Sequence, residues 1–272
     1  MSAVEVKDLG RLVGREVFHD GTGLADPVVL VHGFPESSRM WEPLMAALAS
    51  TGRRCLAPDL YGLGDSTDAD PATFEHNLEA FTTFMERPGL ERVALVVHDW
   101  GGFIGLAWAC DHPERVSALV ISSTGFFSDG KWHGMAEAIR GDGGEAVVAA
   151  MDRDGFAGLM HSFGGAFADD DIAAYWAPYE DGRGQRATLD FYRSMDFEKL
   201  EPWQGKLAAI DAPTLILWGA DDQFAPLAGA ERLQREIPGA ALVVLEGIGH
   251  FVFDEATERS VEEVSSFLVE AP

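Results

Sequence analysis

Basic residues are scarce in this chain. Lysine and arginine number 20 against 45 aspartates and glutamates, a net charge of −25. Such a surface repels phosphate backbones, which argues against nucleic acid as a partner. Cysteine is scarcer still. Cys55 lies in an apolar strand-like run and Cys110 on a helical pattern, so buried thiols are expected rather than a disulfide or a metal pair. Long apolar runs are missing: none reaches the roughly 18 residues of a membrane span. The opening stretch MSAVEVKDLGRLVGREVF carries charges every few residues and lacks the apolar segment of a signal peptide. A cytoplasmic protein without a membrane association is the expectation. Metal-ligand spacings are absent as well, and the triplet Asp169-Asp170-Asp171 reads as a helix start favoured by the dipole. What the chain does have is 47% apolar residues over 272 positions, enough for the core of one large α/β domain.

The apolar residues come in an alternating rhythm. Strands are expected in RLVGREVFHD, PVVLVHG and RRCLAPDL, with SRMWEPLMAALAS as a helix between the last two. DPATFEHNLEAFTTFMERPG is a helix, with Asp70 at the N-cap and Pro71 at the first position. RVALVVHD is continuously apolar, as in a strand covered on both faces of a parallel sheet. GGFIGLAWACDHP is the following helix and RVSALVISS the next strand. From Thr124 to Lys206 the rhythm breaks into helix-like pieces with no clear strand. It returns with the strands APTLILWG and AALVVLEG, each followed by a helix. This predicts a mostly parallel, doubly wound sheet with a helical cap inserted after the sixth strand. The core is expected at residues 1–123 and 207–272, the cap at 124–206.

Chemistry concentrates at the strand ends. In VHDWGG, Asp99 stands between a strand and a helix, and Gly101 and Gly102 permit a tight elbow. A helix N-terminus can hold that carboxylate ionised, and a carboxylate there can attack an sp³ carbon to form an ester. LWGADDQFAP offers Asp221 and Asp222, and LEGIGHFVFDE offers His250. The order Asp99, Asp222, His250 is that of nucleophile, acid and histidine in a triad, with His250 activating water and Asp222 orienting it. Asp221 stays open as the alternative acid. His98 neighbours Asp99 on a strand, so its side chain should point the other way. In VLVHGFPESSRMW the chain turns after a strand, which brings the backbone N–H of Phe34, with that of Trp100, to an oxyanion hole.

These motifs resemble the α/β-hydrolase-fold proteins with an aspartate nucleophile, the group of epoxide hydrolases and haloalkane dehalogenases. HGFPES, APDLYGLGDS, VVHDWGG, WGADD and GIGHF carry the resemblance, which spans roughly the whole chain. It implies an enzyme without a cofactor or metal, acting on a small apolar electrophile and water as a monomer or homodimer. HGFPES and LDFYRSM resemble the epoxide hydrolases, which gives Tyr192 the role of proton donor to the epoxide oxygen. Trp132 and His133 stand where that group carries a second tyrosine and are expected in the substrate pocket. VVHDWGGFIGL and AAYWAPY resemble a dehalogenase branch, in which Trp100 would donate its indole N–H to the leaving halide and Trp132 could supply a second donor. Epoxide hydrolysis to a vicinal diol is the first expectation, dehalogenation the alternative, and a non-catalytic binding protein on the same fold a third.

Overall fold

The structure, a computed structural model, describes residues 4–9, 12–17, 25–66, 71–163 and 167–271. Eight strands form one sheet: β1 (Glu5–Asp8), β2 (Val13–Val17), β3 (Val28–Val31), β4 (Cys55–Pro58), β5 (Val93–His98), β6 (Val116–Ser122), β7 (Thr214–Gly219) and β8 (Ala241–Leu245). Their spatial order is β1-β2-β4-β3-β5-β6-β7-β8. The two pairings of β2 are antiparallel and every other pairing is parallel. The four central strands β3, β5, β6 and β7 are buried along their whole length, as their unbroken Val/Leu/Ile runs require of strands covered on both faces.

Core helices cover the two faces: α1 (Glu42–Ser50), α2 (Phe74–Met85) and α3 (Trp100–Asp111) precede β6. Five helices lie between β6 and β7: α4 (Gly134–Arg140), α5 (Gly144–Ala149), α6 (Arg153–Ser162), α7 (Asp169–Glu180) and α8 (Arg183–Ser194). The chain closes with α9 (Leu227–Glu236), α10 (Val252–Glu255) and α11 (Thr257–Glu270). Helix α3 is apolar on every side, and all of its residues but Asp111 are buried. No described helix is long and apolar enough to cross a membrane. Both cysteines are buried and free.

Local chemistry differs from the sequence reading in four places. Helix α2 starts at Phe74 rather than at Pro71, because Thr73 caps it: the Thr73 hydroxyl accepts from the His76 N–H at 3.2 Å. The expected cap Asp70 lies outside the described residues. Thr73→Ala should therefore lower stability by about 1 kcal/mol in urea unfolding, with no change in activity. SRMW is a single 3-10 turn leading into α1, not its first turn. Strand β1 was not apparent in the sequence, since VEVKD lies half-exposed at the sheet edge. Nor was the one-turn α10.

The strand ends that point toward the inserted helices carry the motifs. In β5 and β6, His98 pairs with Ser122, so Asp99 and Ser123 follow side by side at neighbouring strand tips. Both have backbone angles in the left-handed region, φ 47° and 44°, where non-glycine residues are strained.

Candidate active site

The Asp99 elbow is built by close backbone approach. A Cβ on Gly33 would lie 2.4 Å from the Asp99 Cβ, and one on Gly101 would lie 2.2 Å from the Val31 carbonyl oxygen. Both positions must be glycine for α3 to start against the tip of β3. The Thr124 hydroxyl donates to the Asp99 carbonyl at 2.7 Å and fixes the turn from the β6 side. The Asp99 side chain keeps 20% exposure. Its Oδ1 accepts the Phe34 N–H at 2.8 Å, so half of the expected oxyanion hole is in place. The Trp100 backbone N–H makes no hydrogen bond to the carboxylate, and Asp99 does not cap α3 with its side chain.

His250 is 4% exposed and sits between two carboxylates. Its Nδ1 is 3.0 Å from both Asp222 oxygens, and its Nε2 is 3.4 Å from Asp99 Oδ2. Asp222, not Asp221, is the carboxylate against the imidazole; Asp221 is exposed. Asp222 is itself held by the Phe224 and Ala225 N–H groups at 2.9 and 2.8 Å. Burial works against charge at all three groups, but their mutual attraction outweighs it. His250 is pushed up to about 10 by the Asp222 and Asp99 charges and hydrogen bonds, despite its burial. Asp99 and Asp222 are both held below the ordinary carboxylate range, chiefly by His250 against their burial. The imidazolium therefore contributes stability that is complete below the ordinary histidine pKa and disappears as pH rises through about 10. The carboxylates contribute stability that is lost as pH falls through their depressed values. Nitrogen NMR should find His250 still doubly protonated at pH 8.5 in the free protein; a neutral ring at that pH would contradict this electrostatic balance.

Aromatic side chains surround the elbow. The Trp100 ring lies between Phe34 at 4.7 Å and Phe191 of α8 at 3.8 Å, nearly parallel to the latter. Tyr192 meets both Trp100 and Phe34 edge-on. The Trp100 indole edge lies beside the Tyr192 ring, centroids 4.9 Å apart. Burial and the Asp99 charge raise the Tyr192 pKa well above its ordinary value, against a smaller opposing effect of the neighbouring indole. His133 caps α4 by accepting the Ala136 N–H on Nδ1 at 3.3 Å, and burial lowers its pKa. It is therefore a neutral ring with its proton on Nε2. Trp132 packs on Tyr192 and Phe197, and its indole N–H is buried without a partner.

Two cavities meet at Asp99, His133, Tyr192, Phe224 and His250. Phe34 lines the first, and Trp100 and Trp132 line the second. The sequence-predicted site residues thus converge on one place in the fold.

His98 points away from Asp99, as expected, while two other groups near the site, Glu36 and Ser123, were not anticipated. His98 lies on the far side of the elbow, fully buried, its Nε2 3.3 Å from Glu36 Oε2 and its ring centre 5.1 Å from that of His250. Burial and the His250 charge lower it to about 3. Glu36, also fully buried, is raised well above the usual range by burial and by its neighbour Asp254, itself pushed up to about 7 by burial. A carboxyl pair sharing a proton fits two such groups in contact. Glu36 was visible only as part of HGFPES; nothing in the sequence placed it beside Asp254. The other, Ser123, stands out by its backbone angle. Asp169–Asp171 form the first turn of α7, as expected, and Asp171 is 2.5 Å from the Arg39 guanidinium. Among the described residues no group of three or more His, Cys, Asp or Glu side chains is arranged to hold a metal ion.

Comparison with known proteins gives the same frame. The family model described as the alpha/beta hydrolase fold matches residues 26–257. The haloalkane dehalogenase 1 of Mycobacterium bovis is 30% identical over 89% of this chain and 83% of its own. The cis-3-alkyl-4-alkyloxetan-2-one decarboxylase of Shewanella oneidensis is 27% identical over 94% of this chain and 86% of its own. The crystal structure of haloalkane dehalogenase DbeA from Bradyrhizobium elkani superimposes with a TM-score of 0.82 over 99% of this chain and 98% of that one, at 21% identity. With a nearly all-parallel sheet, an aspartate at the elbow after β5 and these relatives, the chain belongs to the α/β-hydrolase family, in its aspartate-nucleophile group related to the haloalkane dehalogenases.

Proposed function

We propose that the protein hydrolyses a small apolar electrophile through an alkyl ester on Asp99, and that the electrophile is an epoxide opened to a vicinal diol. The Tyr192 hydroxyl carries this reading. It lies beside the Trp100 indole, and among the described residues no acceptor takes its proton. It lines both cavities with Asp99. A phenol so arranged can deliver its proton to an oxygen leaving the attacked carbon. Phe34, by contrast, brings no polar side chain to hold a halide.

In this reading the two carboxylate oxygens take different parts. Oδ1, held by the Phe34 N–H, becomes the ester carbonyl. Oδ2, free of backbone donors, attacks carbon and breaks the C–O bond of the ring. Tyr192 protonates the alkoxide. Esterification neutralises Asp99, so His250 loses one of the two charges that keep it protonated. Its proton returns to Tyr192 through water, and the neutral imidazole becomes a base. It takes a proton from water as the hydroxide adds to the Asp99 carbonyl carbon, with the oxyanion on Oδ1 facing the Phe34 N–H. Collapse expels the ester oxygen, which takes the proton from His250. The carboxylic acid so formed on Asp99 returns its proton to His250, which restores the carboxylate and the imidazolium, and the diol leaves.

Dehalogenation is the second reading, supported by the 30%-identical relative and by the unpartnered Trp132 indole beside Trp100. The oxygen-ring reading has its own support among the relatives, since an oxetan-2-one is a strained oxygen heterocycle. Intact-protein mass of His250→Ala after exposure to epoxides and bromoalkanes separates them. A gain equal to a whole epoxide is expected. A gain of an alkyl group without bromine moves the assignment to dehalogenation. No adduct with either class, in a folded variant, removes Asp99 as nucleophile toward both.

A further inference from the structure

We infer that the substrate is an amphiphile, with an unbranched alkyl chain on one side of the reacting carbon and an acyl oxygen on the other, the acyl oxygen held by Ser123 and Trp132. This rests on Asp99 as the reacting group and adds which side of the substrate lies where.

The two cavities differ in kind. The first is a slot of about 60 Å³ that leaves Asp99 and runs among Met135, Met151, Phe156, Met160 and Phe163 of α4, α6 and their connections. Beyond the shared end its only hydroxyls among the described residues belong to Tyr179 and Thr188. These are 3.0 Å apart, and Thr188 in turn donates to the Gly184 carbonyl. The slot has no donor to spare, so it suits a chain without polar atoms. Its methionines are unbranched and adjust to such a chain.

The second cavity, about 390 Å³, is also mostly apolar but has the larger polar share of the two. Most of its donors are already used. Thr124 donates to the Asp99 carbonyl, and Arg232 is paired with Asp129 and Glu236. Away from the end shared with the first cavity, two buried donors among the described residues have no acceptor: the Ser123 hydroxyl and the Trp132 indole N–H. Ser123 is fully buried and held at φ 44°. Buried donors are paired in nearly all native structures. Two orphans lining one cavity beside the nucleophile, one of them on strained backbone, mark a place for an acceptor with two lone pairs. A carbonyl or carboxylate oxygen is such an acceptor. Lys131 stands exposed at the rim of the same cavity, with no ion pair among the described residues.

The test has a binding arm and a turnover arm. Quenching of tryptophan fluorescence measures binding of octanamide, octanoate and 1-octene to the unmodified protein. Octanamide is expected to bind at least tenfold more tightly than 1-octene, and Ser123→Ala, Ser123→Gly and Trp132→Phe should each remove that preference. The glycine variant relieves the backbone strain, so it separates loss of the hydroxyl from loss of fold. Octanoate binding more tightly than octanamide would bring Lys131 into the subsite; equal binding would leave the donor pair as the whole of it. In turnover, methyl 2,3-epoxyoctanoate should show a KM at least tenfold below that of 2,3-epoxyoctane, and Ser123→Gly should raise only the former. Equal binding of octanamide and 1-octene, or Ser123 variants that leave the octanamide preference intact, overturns the proposal. Octanamide preference lost in the variants, with no epoxide turnover, keeps the subsite and overturns the epoxide reading alone.

Discussion

Asp99→Ala should lose turnover by roughly 10⁴-fold or more, the scale on which enzymes respond to removal of a covalent nucleophile. Nothing near the elbow can substitute. His98 is the adjacent nucleophilic type, but it faces Glu36 and Ser122 on the other side of the strand, and its low pKa leaves it without a charge to relay. Asp222 is turned onto the Nδ1 of His250 and occupied by two backbone donors. The fold should survive the change, since the Phe34 N–H loses a partner at a site open to the cavity. Stopped-flow assays with the substrate found by mass spectrometry, together with a thermal melt, check both halves. Residual activity within tenfold of the parent would mean that the ester does not form on Asp99. The same assay distinguishes His250→Ala, in which Asp99 should be alkylated once and no product should be released.

The second large effect is on folding. Gly101→Ala should destabilise by about 3 kcal/mol or more, the range of overpacking against atoms that cannot move aside. The added methyl would lie 2.2 Å from the Val31 carbonyl oxygen and 2.7 Å from that of His32. Both are backbone atoms of the β3 tip, and moving them displaces Phe34 from Asp99. Activity and stability should fall together. Gly158→Ala is the counter-case. It lies inside α6 with nothing within 4 Å of the added carbon, so the substitution should stabilise by up to about 1 kcal/mol through helix propensity alone. Urea unfolding of both variants measures the contrast.

What could be read from the residues alone was the part encoded locally. The β5 run RVALVVHD could only be a doubly covered strand, and the residue after it had to turn sharply into α3 because Gly101 and Gly102 follow. The triad order came from such strand ends. Long-range pairings were not legible. Asp221 and Asp222 are adjacent in sequence, and only the path of the β7–α9 loop turns the second toward His250. Glu36 meets Asp254 across 218 positions, and no periodicity announces a carboxyl pair. Thr73 replaced Asp70 as the cap because both are good caps and packing of Phe74 decided the register. The Trp100 backbone N–H, expected in the oxyanion hole, is unbonded because the carboxylate is turned toward Phe34 and His250.

The Trp100 stack bears on how the site can open. Phe191 lies flat on Trp100, and Trp100 in turn lies on Phe34, so α8 is clamped to the elbow itself. Asp190 and Ser194, on either side of that ring, accept the Ala72 and Phe74 backbone N–H groups at 3.0 and 2.8 Å and tie α8 to the start of α2. A hinge that lifted α8 would unstack the wall of the nucleophile and break both ties at once. This helix belongs to the anvil, not to the door. Breathing motions that admit an apolar chain fall to the short helices α4, α5 and α6, where Val147 already reaches solvent at the end of the apolar slot. The traffic of substrate is thereby separated from the part of the molecule that must stay still while a bond is made.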